Sequence, residues 1–432
     1  MIPALLINPT LGRAGVANRL LLYIFVISVA LLPVSFNIIK YVILATLMGI
    51  GVSVITSLIR IPKLAVTPIY ASVAVFVLIY FFWLVLSLHQ GNNLVYVLKD
   101  SAGFPVYLVF PVLYVFVKHN DLAETLGRAI LAAAFLVVFM NLSVFSLYYL
   151  FFEQLTLPNL LAANFGLSSL GFTWELGASN GVLRANTKAG QYILMGIALL
   201  TLRFMQSKNA IHLVLIGLMF FGALLDGHKS LIVAIAIFVI IVSPMLVLNL
   251  ERRPLKILGP LLVGLAGVIV AFVLFIDIDM FIERFSDIGS SSFQVRQGQI
   301  DSLLVEINRH PWFGNGFGSS AAVIRNELRP FMYEVDFLAV IMKLGFVGAT
   351  LYFATYVATI TLPVLHNPTS YRVVMFALGI GYLFYMGTNG GFAMSPISAF
   401  YHLLLFLCVA ICVQPEKPQG RASPSPINVI DQ

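Results

Sequence analysis

The chain has 432 residues, of which 60% are hydrophobic and only 10% charged. A soluble domain carries about 25% charged residues, so the composition excludes an ordinary soluble enzyme and points to a polytopic membrane protein. The net charge of +7 requires no nucleic-acid partner, because basic loops on the cytoplasmic side of a membrane account for it.

A membrane-spanning helix needs about 20 mostly apolar residues. Twelve stretches qualify, at roughly 20–39, 41–59, 65–87, 102–118, 129–152, 189–206, 211–226, 230–250, 255–276, 335–362, 372–388 and 396–414. The first follows Arg13 and Arg19 and is long enough to span, so it reads as a span and not as a cleaved signal peptide. Lys and Arg in the short connections, among them Arg60, Lys63, Arg252 and Arg253, place both termini in the cytoplasm. The expected fold class is therefore all-α: a polytopic bundle of about twelve spans over residues 1–414. A large periplasmic loop, 277–334, carries short amphipathic helices, and a Pro/Ser/Gly-rich tail, 415–432, is expected to be disordered. Cys408 and Cys412, one helical turn apart, are packed or lipid-facing thiols and define no disulfide framework. Most of the 35 Phe and 17 Tyr are expected to be lipid contacts, some lining a lateral opening.

The basic residues of the opposite side collect in three places: Arg184 with Lys188, Lys229, and the long loop with Arg296 and Arg325. Topology does not need them there. Either they bind lipid headgroups, or they converge on an anion.

In the loop, Ile300, Leu303, Leu304 and Ile307 recur at helical spacing, which predicts an amphipathic helix lying on the membrane or roofing a cavity. Pro311 ends it. Gly314, Gly316 and Gly318 then allow a tight turn, and Ser319 or Ser320 can cap a second short helix through Leu328. The backbone around Gly316 either offers N–H groups to a phosphate or simply turns. Trp312, Phe313 and Phe317 read as an interfacial anchor.

Arg296 follows a Ser/Gly segment; its guanidinium fork suits a diphosphate, with a solvated surface charge as the alternative. Glu334 and Asp336 open the tenth span, where acidic residues complement the helix dipole. A carboxylate at Glu334 can also take a proton from a sugar hydroxyl. Asp336 and Lys343, seven apart on one face, are expected to pair. Asp226-Gly227-His228-Lys229 reads as a polar turn between spans, and His228 has no partners at metal-site spacing. The remaining histidines, His402 among them, are scattered. The chain has no P-loop, HExxH, GxSxG or cysteine metal spacing, so neither cofactor nor metal is expected.

Arg296, the turn His310-Pro311-Trp312-Phe313-Gly314-Asn315-Gly316-Phe317-Gly318, Glu334 and Leu344-Gly345-Phe346-Val347-Gly348 together resemble the bacterial O-antigen polymerase and O-antigen ligase superfamily of membrane glycosyltransferases. The Arg184-Ala185-Asn186-Thr187 segment is similar to that family's earlier loop, and the likeness runs from Asp226 to Gly348, with topology alone elsewhere. The resemblance implies inverting glycan transfer from undecaprenyl pyrophosphate at the periplasmic face of the inner membrane, without nucleotide or metal. Arg296 would hold the pyrophosphate, Lys229 would assist, and Glu334 would be the general base. Lys229 stands where the family has an arginine and lacks its fork. Glu334 stands where ligases have a histidine, which favours a polymerase of lipid-linked repeats. The alternatives are a ligase onto lipid A core and a lipid-linked oligosaccharide transporter. The implied partners are an undecaprenyl-pyrophosphate-linked oligosaccharide, membrane lipids, a chain-length regulator and a flippase.

Overall fold

Proline, glycine and asparagine cut the apolar chain into helices, several of them shorter than the hydropathy pattern suggests. The computed structural model describes residues 13–31, 37–57, 63–150, 172–176, 183–187, 189–226, 228–249, 291–324, 327, 329–364, 369–388 and 396–411. Among these are thirteen α-helices: α1 Arg13–Leu31, α2 Asn37–Ser57, α3 Lys63–His89, α4 Leu94–Ser101, α5 Phe104–His119, α6 Ala123–Leu150, α7 Gln191–Ser207, α8 Ile211–Asp226, α9 Lys229–Asn249, α10 Ser291–Arg309, α11 Asp336–Thr361, α12 Thr369–Gly387 and α13 Pro396–Ile411. An antiparallel hairpin, β1 Phe172–Leu176 and β2 Leu183–Thr187, adds a small strand element that the helical reading did not contain.

Local chemistry sets the ends. Asn93 caps α4, its side-chain oxygen accepting from the Val95 N–H at 2.9 Å. Pro105 sits in the first turn of α5 and Pro111 inside it. Lys208 closes α7 in the left-handed conformation, φ 54°.

These boundaries correct the expected topology. Among the described residues three helices are long and apolar enough to cross a membrane: Tyr70–His89, Ala123–Ser143 and Asp336–Thr361. Six further apolar stretches run 10–17 residues: Gly15–Leu31, Ile38–Ser53, Tyr107–His119, Ile211–Asp226, Ser230–Leu246 and Ala399–Ala410. A helix of 16 residues, the length of α5, α8 and α13, rises about 24 Å, short of the roughly 30 Å hydrocarbon core. The twelve-span bundle is therefore withdrawn, and with it the inner-membrane placement that put both termini in the cytoplasm and the site in the periplasm. The expected span at 255–276 and the tail 415–432 lie outside the described residues.

α7 is buried from Gln191 to Leu202 and packs against α6, α8 and α12. α9 lies along α12, α5 between α2 and α13, and α11 against α3, α10 and α12. Close approach needs small residues: a Cβ at Gly222 of α8 would sit 2.6 Å from Val138 of α6. The core holds tyrosines where lipid contacts were expected. Tyr107, Tyr352, Tyr356 and Tyr382 are buried around buried His402. The Tyr107 hydroxyl lies 3.3 Å from that of Tyr352 and 3.2 Å from His402 Nδ1, so Tyr107 and Tyr352 bury their rings while their polar tips find a partner. Cys408 is buried in the same core.

α11 is not continuous. Gly345 adopts φ 65°, ψ 178° in its middle, and the helix breaks there. That break positions everything that follows.

Candidate functional site

α10 carries one half of the site. It begins at Ser291, so the helix takes in Arg296 together with the end of the Ser/Gly segment before it. The expected apolar face is present: Leu303 and Ile307 are buried against Ala339 and Met342 of α11 and against Ala321 and Tyr333. Full burial of such a side chain is worth about 1.5–3 kcal/mol, which fixes α10 to the first half of α11. Leu304 remains exposed.

This docking brings Arg296 to Glu334. The guanidinium Nε donates to Glu334 Oε2, with 48% of the Arg296 side chain and 17% of the Glu334 side chain exposed. Gln299, one turn after Arg296, is fully buried, and its Oε1 accepts from the Glu334 backbone N–H at 3.2 Å. Its Nε2 has no hydrogen-bond partner. Tyr333 is buried beside them and its hydroxyl accepts from the Ala321 N–H at 2.5 Å. Burial pushes the Tyr333 phenol up to about 12, against an opposing pull from that hydrogen bond. The sequence reading missed Gln299, although its spacing of three from Arg296 puts it on the same helix face.

The glycine turn does something other than cradle an anion. The Gly314 N–H donates to His310 O (3.0 Å), Asn315 to Met342 O (2.8 Å) and Gly316 to Lys343 O (2.9 Å). Phe317 N–H donates to Ser87 Oγ (2.6 Å) and Gly318 N–H to Asp100 Oδ2 (2.8 Å). In return Phe346 N–H reaches Pro311 O (2.8 Å) and Val347 N–H reaches Trp312 O (3.1 Å). The turn is thus a wedge in the break of α11, supplying partners for backbone groups the break releases. Side chains complete it: Trp83 Nε1 donates to Phe313 O, Gln90 to Gly314 O, and Asn92 to Asn315 O and Phe317 O. The fit is reciprocal. A Cβ at Gly345 would lie 2.3 Å from the Trp312 carbonyl carbon, and one at Gly314 would lie 2.5 Å from Lys343 backbone. Every N–H from Gly314 to Gly318 is spent inside the protein, which corrects the phosphate reading of Gly316.

Lys343 also departs from expectation. Its Nζ donates to Asp100 Oδ1 (2.7 Å) and Phe331 O (2.8 Å), and both partners of the ion pair are buried. Asp336 lies two turns away, about 10 Å along the helix axis, too far for a direct ion pair. Residues 319–324 hold no helix, only a bend at 322–323.

The other expected residues are placed elsewhere. Arg184 lies on β2 opposite Glu175 of β1, and Lys229 is the first residue of α9; the side chains of both lie outside what is described. Lys188 and Arg325 fall outside the described residues. His228 occupies the α8–α9 corner, its Nε2 3.9 Å from Asp226 Oδ2 and its ring edge-on to Tyr385 at 6.3 Å. Of the expected set, the structure joins Arg296 and Glu334 directly.

No family model matches the chain, and no curated protein matches it. With three membrane-length helices among the described residues and no such match, the twelve-span architecture and catalytic periplasmic loop on which the polymerase assignment stood are not observed. The assignment to O-antigen or lipopolysaccharide synthesis is accordingly withdrawn.

Proposed function

We propose that the chain is a membrane glycosyltransferase that works without nucleotide or metal, on a sugar carried by a lipid diphosphate. One observation carries this reading: the Arg296–Glu334 pair at the junction of α10 and α11, its guanidinium half exposed to solvent. The two side chains come from segments 38 residues apart and supply complementary chemistry at one place. A guanidinium fork binds a diphosphate and stabilises the negative charge that grows as it leaves the anomeric carbon. A carboxylate beside it can take the proton from an incoming hydroxyl. Attack from the face opposite the departing diphosphate inverts the anomeric centre, and a good leaving group dispenses with a general acid.

The test is glycosyl transfer by the full-length protein in detergent, from a polyprenyl-diphosphate-linked sugar to a saccharide acceptor. Glu334→Gln and Arg296→Ala are each expected to lower the rate by about 10²–10⁴-fold, the usual weight of a positioned base or charge stabiliser. Arg296→Lys should fall well short of wild type, because a point charge lacks the fork. Full activity in both Glu334→Gln and Arg296→Ala would remove the pair from the reaction.

A further inference from the structure

We infer that Glu334 is the resting occupant of an oxyanion site whose donors are Arg296 and Gln299, and that a phosphate group displaces it. The inference rests on the proposed reading of Arg296 and adds two things to it: a second donor, and a built-in competitor.

Gln299 is the first support. It is fully buried, held through its oxygen by the Glu334 N–H at 3.2 Å, and left with an Nε2 that finds no acceptor. A buried donor without a partner is unfavourable and rare. Arg296 and Gln299 share a face of α10, three residues apart. Their spacing sets a guanidinium fork and an amide N–H within one helical turn of each other. The Glu334 carboxylate already takes the guanidinium.

Carboxylate and phosphate oxygens make the same charge-assisted hydrogen bonds to guanidinium, so the ion pair is a contact that phosphate can replace. Replacement is cheap, because an ion pair whose guanidinium is half exposed contributes little. A diphosphate carries more charge and more acceptors than Glu334, and can also use the Gln299 amide. Once displaced, the Glu334 side chain leaves the guanidinium while its backbone stays anchored on Gln299. Arrival of the donor therefore releases the base beside it from Arg296. In the ligand-free chain the base is masked by the group that later binds the leaving phosphate.

The shared ligand chemistry is phosphate oxygen, from a lipid diphosphate or from a phospholipid headgroup. Full-length protein in detergent is titrated calorimetrically with inorganic pyrophosphate and farnesyl diphosphate, and in nanodiscs of phosphatidylglycerol or phosphatidylcholine. Arg296→Ala is expected to lose pyrophosphate binding. Glu334→Gln is expected to bind about 10-fold more tightly than wild type, because the competitor is weakened. Gln299→Met is expected to bind about 10-fold more weakly, and Gln299→Glu, which keeps size and acceptor but adds a like charge, more weakly still. Unchanged or weaker binding by Glu334→Gln, or no effect at Gln299, overturns this inference while leaving the anion role of Arg296 standing. Equal binding by wild type and Arg296→Ala, or none by wild type, removes that role as well. Farnesyl diphosphate binding more tightly than phosphatidylglycerol supports a diphosphate ligand, and the reverse order overturns it.

Discussion

Two parts of one polypeptide stretch, 291–347, use polar groups in opposite ways. In the wedge, the glycine turn, Lys343 and Asp100 spend their hydrogen-bonding capacity on each other, out of contact with solvent. At the α10–α11 junction, Arg296 and Glu334 meet in an ion pair that solvent reaches, beside a buried amide with a donor to spare. Closure makes the first region a structural joint, and incomplete satisfaction makes the second a place for a ligand. A glycine-rich turn before a helix looks more like an anion site than an arginine on a plain amphipathic helix does. Here the appearance misleads, since what counts is whether the N–H groups are already taken.

If the contrast holds, the two regions should answer mutation differently, and the largest effect belongs to the wedge. Lys343→Met leaves Asp100 charged and buried with no cation, which should destabilise by about 3–5 kcal/mol. Adding Asp100→Asn, which keeps an acceptor for the Gly318 N–H, should recover part of that loss in a thermal-unfolding mutant cycle. If the double variant is as unstable as the sum of the singles, the pair is not coupled and the joint is misassigned. Gly345→Ala comes next. The new Cβ meets Trp312 backbone at 2.3 Å in a left-handed conformation, so about 2–4 kcal/mol is expected from strain and displacement of the turn. A well-folded Gly345→Ala protein with wild-type melting would show that the turn does not need to enter the break.

This contrast was only partly legible beforehand. The spacing of Ile300, Leu303, Leu304 and Ile307 located α10 and its buried face, and of the two carboxylates at the head of the next apolar helix, Glu334 was singled out by the resemblance. The start of α10 was missed because serines and a glycine mask a helix that tertiary contacts hold. Lys343 was matched to Asp336 on periodicity, whereas its partner Asp100 lies 243 residues away, a distance no local pattern spans. Glycine identity announced a turn at 314–318 but could not say which groups would take its amides. Hydropathy windows likewise run across helix ends, so 16- and 17-residue helices were counted as spans. The aromatic core around His402 gave no signal at all, because burial of tyrosine and histidine depends on partners from α5, α11 and α13.

At the open junction the expected stability effects are small. Glu334→Gln should change unfolding by less than about 1 kcal/mol, the worth of a solvent-reached ion pair, while acting strongly on transfer; a large loss of stability would move Glu334 into the structural class with Lys343. Between the two regions stands Tyr333, buried like the wedge but adjacent to Glu334. Its phenol rises from the ordinary 10.0 to about 12, so the folded chain holds this proton more firmly than the unfolded one. The stabilisation that follows is complete below pH 10 and is lost as pH climbs from about 10 toward 12, because the unfolded state there has already released the proton. Tyr333→Phe should therefore flatten the decline in melting temperature over that window. It should also lower stability at neutral pH, since the Ala321 N–H loses its acceptor. An unchanged slope would place the phenol in contact with water, and with it the boundary between the closed joint and the open site would move to the far side of Tyr333.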